Sequence, residues 1–138
     1  MQIHGSCAAF ESHGVLLLGA PGAGKSDLLL RLLDRGWALV ADDRVELEGG
    51  YARAPPALAG LLEVRGLGIL RLAYQPHARL ALAVHLAPGA RLPEPAWHPL
   101  SGVPAVHIDP WLASAPQRVA LALECATGRT AQLAGAFA

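Results

Sequence analysis

One segment, Gly19-Ala20-Pro21-Gly22-Ala23-Gly24-Lys25-Ser26, constrains this chain more than any other. Its glycines let the backbone turn where a side chain would clash, so successive N–H groups can converge on one point. Residues 15–18 before it are a continuous apolar run, as in a strand buried on both faces. Residues 25–35 after it carry Leu28, Leu29, Leu30, Leu32 and Leu33, a broad apolar helical face, and Gly36 is placed to end that helix. Strand, loop and helix together match G-x-x-x-x-G-K-[ST] in sequence and in context. The loop makes an anion nest, and the helix adds the positive end of its dipole. Gly19 through Gly24 are therefore expected to cradle the phosphates of a nucleoside triphosphate. Lys25 would reach the outer phosphates, and Ser26 would offer its hydroxyl to Mg²⁺. The plain alternative is a chance glycine loop, and the two flanks argue against it.

The rest of the chain reads as short strands joined by turns. It holds 11 prolines and 15 glycines, clustered between apolar runs. Residues 1–10 read as one strand, 12–14 as a turn, and 37–41 as a second buried strand that 44–47 could continue. Glu48-Gly49-Gly50 reads as a hairpin turn. Residues 61–65 and 69–72 flank Gly66-Leu67-Gly68, and 79–86 form a further strand. Residues 87–104 are proline-rich and read as loop. Periodicity leaves 117–127 open between strand and helix. These elements predict an α/β catalytic domain over 1–127 and a flexible tail over 128–138.

Composition narrows the partners. Eleven basic residues balance eleven acidic ones in 138 residues, so no field favours a nucleic acid or an acidic membrane. Apolar residues make up 53% of the chain, which argues for a core rather than disorder. The sequence shows neither a signal peptide nor an apolar run long enough to span a bilayer, so the expected location is the cytoplasm. Cys7 and Cys125 form no CxxC and read as half-buried thiols. His13, His77, His85, His98 and His107 have no ligand spacing and read as structural or solvated; His4 alone lies near the phosphate strand in sequence.

Two further segments carry candidate chemistry. Asp42-Asp43 follow the Leu39-Val40 run, and strand ends in open α/β sheets lie where ligands bind. A carboxylate there could hold Mg²⁺ or take a proton from an attacking hydroxyl; the plain reading is a polar turn paired with Arg44. On an extended chain the two would point to opposite sides, and so they should not share a role. Glu63 and Arg65 lie two apart on one strand face, able either to bind Mg²⁺ and phosphate or to pair with each other.

Together these pieces resemble the catalytic domain of the HPr kinase/phosphorylase family. The resemblance rests on Ile3-His4-Gly5, the loop ending Lys25-Ser26, Leu39-Val40-Ala41-Asp42-Asp43, and Leu62-Glu63-Val64-Arg65-Gly66-Leu67-Gly68-Ile69. It implies a P-loop-containing single domain with a central, mainly β, mixed sheet and few helices. It implies a Mg²⁺- and ATP-dependent kinase for a serine of HPr, a phosphocarrier of the sugar phosphotransferase system, and a reverse reaction using inorganic phosphate. By this resemblance His4 is catalytic, Lys25 and Ser26 bind phosphate and Mg²⁺, and Glu63 is the second Mg²⁺ ligand. Asp43 takes the serine proton with Asp42 beside it, and a catalytic arginine falls on Arg91. The family assembles as hexamers, so a homo-oligomer is expected. The chain looks like a short form that begins almost at the catalytic strand. The family's phosphorylase loop corresponds here to residues 112–118, where only Arg118 is basic. Two other readings stay open: a P-loop kinase for a small metabolite, and an ATP-binding regulator without transfer activity.

Overall fold

The computed structural model describes all 138 residues. The elements in chain order are β1 (Gln2–His4), β2 (Ser6–Phe10), β3 (His13–Leu18), α1 (Lys25–Asp34), β4 (Ala38–Ala41), β5 (Arg44–Glu48), β6 (Tyr51–Arg53), β7 (Leu61–Val64), β8 (Gly68–Arg71), β9 (Ala78–Leu86), β10 (Ala105–Ile108) and α2 (Ala115–Ala126). Eight strands form one mixed sheet in the order β1-β5-β6-β9-β3-β2-β4, with β10 on β9, and β7-β8 form a separate hairpin. This is the mixed, mainly β sheet with few helices that the family resemblance implied.

Direction within the sheet matters for the site. β3 and β9 are parallel, β9 and β10 are parallel, and β2 runs antiparallel to both β3 and β4. So β3, β4, β9 and β10 all point one way, and their carboxyl ends gather at one edge of the molecule.

The core lies on both faces of the sheet. Leu28, Leu29 and Leu32 of α1 and Val119 and Leu123 of α2 pack with Val15, Leu17, Leu82 and Val84 on one face. Cys7, Leu16, Val40, Val45 and Leu80 fill the other, with many alanines between them. α1 ends as expected: Gly36 takes φ 91°, its N–H bonds Leu33, and Trp37 N–H bonds Leu32, 3.1 Å in each case. These are the bonds of a Schellman motif.

Several expectations change. Residues 1–10 are two strands, because Gln2–His4 pairs with β5 while Ser6–Phe10 pairs with β3 and β4. Gly5 between them is buried, where a Cβ would sit 3.0 Å from the Leu17 carbonyl. The turn expected at 12–14 lies at Glu11-Ser12, and His13 and Gly14 belong to β3. Gly14 is there for close approach, since a Cβ would meet Ala78 at 3.1 Å. Residues 44–47 run on from β4 in the same register against residues 2–7, with a bend between the two strands where Asp43 takes φ 68°. The open segment 117–127 is helical from Ala115, with Val119 and Leu123 buried one turn apart. Within residues 128–138, Ala136 is buried in the core, and Phe137 N–H bonds Gln132 Oε1 at 2.7 Å. No helix is long and apolar enough to cross a membrane.

Candidate active site at the carboxyl ends of four parallel strands

β3 delivers the glycine loop and α1 leaves it at Lys25. Gly22 and Gly24 take φ 83° and 102°, a region that favours glycine. The Lys25 ammonium lies within the loop's arc, donating to the carbonyls of Gly19 at 2.7 Å and Ala20 at 3.1 Å. An arriving phosphate would offer this cation a better partner than neutral carbonyls.

The centre of the site is a hydroxyl–carboxylate junction. Ser26 Oγ donates to Asp42 Oδ1 at 2.9 Å, and Ser6 Oγ donates to the same oxygen at 2.8 Å. Asp42 is only 8% exposed and Ser6 is fully buried. Two charge-assisted bonds thus hold the carboxylate in place beside the loop. Asp43 faces the other way: its carboxylate is 73% exposed and lies 3.8 Å from Arg44 Nε. Its carbonyl accepts from Gly5 N–H at 3.1 Å, which brings His4 and Asp43 to neighbouring backbone positions. His4 is exposed and opposite Arg44 in the β1–β5 register.

The other proposed residues are not drawn into this junction by any bond. Glu63 and Arg65 are both exposed on the β7–β8 hairpin, and they do not pair with each other. Buried Leu62 seats that hairpin in the core that holds α1. Arg91 is exposed in the connection after β9 and outside the ion pairs. A cleft of about 410 Å³ by Glu11, Trp37 and Arg129 lies at the opposite end of the strands and adds nothing to the site.

Mg²⁺ fits the oxygen donors of Ser26 and Asp42. No three His, Cys, Asp or Glu side chains gather into a cage. Mg²⁺ does not require one, because it is commonly held by one or two carboxylates together with phosphate oxygens and water.

Three residues of this edge escaped the sequence reading. Ser6 carries no local signal, because its partner Asp42 lies 36 residues away. Trp111 packs against Gly24, where a Cβ would meet its Cη2 at 3.2 Å. Arg31 reaches across to the carbonyls of Pro110 and Leu112. The one available hint was Asp109-Pro110-Trp111 following Ala105-Val106-His107-Ile108.

Strand, glycine loop, helix and a serine-bound carboxylate at the strand ends define an α/β domain. The chain belongs to the HPr Serine kinase C-terminal domain family, whose pattern matches residues 1–86. It is 40% identical over 96 residues to the HPr kinase/phosphorylase of Halalkalibacterium halodurans, covering 61% of this chain and 31% of that protein. It is 42% identical over 96 residues to that of Chromobacterium violaceum, covering 61% and 30%. The matched stretch thus spans under a third of those relatives. The fold matches the structure of the Hpr(Ser) kinase/phosphatase from Coxiella burnetii with a TM-score of 0.79, over 94% of this chain and 92% of that one, at 23% identity.

Proposed function

We propose that this protein is a Mg²⁺- and ATP-dependent serine kinase of HPr or an HPr paralogue, working in the cytoplasm. The observation that carries this reading is the 2.9 Å bond from Ser26 to Asp42 at the mouth of the glycine loop. It pairs a metal-binding hydroxyl with a buried carboxylate where the phosphates would end. Gly19 to Ser26 would bind ATP, and Lys25 would neutralise charge on the outer phosphates. Bound Mg²⁺ would supply charge neutralisation on the β- and γ-phosphates, held by Ser26 and Asp42, with Glu63 as a further ligand.

Asp43, exposed beside the buried pair, would accept the proton of the attacking serine hydroxyl. His4 stands next to it across the Gly5–Asp43 bond and would help orient the incoming serine. Arg65 and Arg91 would meet the negative charge of the phosphates from outside the loop. With inorganic phosphate in place of ADP, the phosphoryl group of phosphoserine would pass to that phosphate as pyrophosphate, and Asp43 would return a proton to the serine oxygen. Leu67 and Ile69, 74% and 70% exposed, support burial in a homo-oligomer, for which a hexamer is the family form.

The test is incubation of the purified protein with HPr, Mg²⁺ and ATP, followed by mass spectrometry of HPr. Phosphoserine is expected with the wild type. Asp43→Asn should abolish it while ATP binding by calorimetry stays within a few-fold, and Lys25→Ala should lose most ATP affinity. Asn tolerates the left-handed backbone at this position, so the fold should survive. ATP binding without phosphoserine in the wild type would favour a regulator over a kinase.

A further inference from the structure

We propose that Trp111 is the platform on which the base of the nucleotide stacks, an inference that rests on the nucleotide reading of the glycine loop. Topology brings this tryptophan there. β10 runs parallel to β9 and β3, so the turn after Ile108 emerges at the same edge as the loop after Leu18. The benzo edge of the indole touches Gly24, with Cη2 and Cζ2 3.2 and 3.3 Å from the position of a Cβ. A side chain at Gly24 would collide with the ring.

The ring is exposed yet its loop is held. Trp111 is 67% exposed, an arrangement that leaves a large aromatic face in water. Its own N–H donates to Asp109 Oδ1 at 3.0 Å. Arg31 of α1 clamps both sides of it, donating to the carbonyls of Pro110 and of Leu112. Asp27 in turn sits 3.2 Å from Arg31 Nε. The backbone on each side of the tryptophan is therefore tied to the helix that starts at the phosphate loop. With its backbone held in this way, the tryptophan has less freedom to lose when a base lands on its ring. Its position beside the last glycine of the loop sets it at the lip of the anion nest, where a base attached to bound phosphates could lie.

Stacking of one base on an aromatic ring is typically worth about 1–3 kcal/mol, or roughly five- to a hundredfold in affinity. Calorimetry with Mg²⁺-ATP and with Mg²⁺-tripolyphosphate, which has the phosphates and no base, separates the two parts of the site. Trp111→Ala should weaken ATP by about tenfold or more and leave tripolyphosphate unchanged, and Trp111→Phe should recover most of the loss. Arg31→Ala, which frees the loop, should lower ATP affinity in the same selective way. In the wild type ATP should quench tryptophan emission, and in Trp111→Phe that quenching should vanish. Unchanged ATP affinity in Trp111→Ala would overturn the proposal, and so would an equal loss for both ligands, since the ring would then only prop the loop. Wild-type protein that binds neither ligand would overturn the nucleotide reading beneath it, a result distinct from either.

Discussion

Asp42 and Asp43 are neighbours in sequence and opposites in surroundings. Asp42 is buried and accepts from Ser6 and Ser26, while Asp43 is exposed at φ 68°. Asp42→Ala would strip both hydroxyls of their acceptor, and leaving a buried donor unmet costs about 1–3 kcal/mol. Urea unfolding should show that loss, and ATP binding should lose its dependence on Mg²⁺. Cys7 is a second residue set by burial, which pushes its thiol from 9.0 up to about 12. Unfolded chains would ionise this thiol from about pH 9 while the folded chain would not, so its contribution is full below that pH and lost as pH rises towards 12. The unfolding midpoint should fall over that range more steeply in the wild type than in Cys7→Ala. Both thiols read alike in the sequence; pairing in the sheet buried Cys7 completely and left Cys125 half-buried on α2.

The elements divide by how local their causes are. Helix α1 was legible because a leucine stripe and Gly36 act within a few residues of each other. β10 was not, because Ala105–Ile108 becomes a strand only by pairing with β9 some twenty residues earlier. That pairing also stacks His85 on His107, ring centroids 5.1 Å apart, two residues that looked unrelated in the sequence. Burial lowers the pKa of His85 below 6.5, and the nearby His107 and His98 lower it further. Burial does the same to His98. Both therefore favour the neutral form in the fold, and their contribution is full above about pH 6.5 and lost as pH falls below it. The thermal unfolding midpoint should fall on acidification, and His107→Ala should make that fall shallower by removing a neighbour that lowers His85.

The whole molecule decides what the ends of the chain do. The last residues read as a fraying tail because Gly and Ala carry little local instruction; Ala136 lies in the core cluster and Phe137 packs against it. Truncation after Thr130 should lower stability by about 1–3 kcal/mol, read as a shifted urea midpoint with a smaller change in slope. By itself the sequence determined the strand, the glycine loop and the helix at residues 15–36. Its causes there are local: glycines that permit positive φ, leucines at helical spacing, and a lysine and serine at fixed offsets from the turn. Only the tertiary structure decided which carboxylate meets Ser26, because Asp42 arrives from a separate strand and is fixed by Ser6 from a third. It likewise decided that Trp111 stands over Gly24, since the parallel course of β3, β9 and β10 alone brings residues so far apart in the chain to one edge.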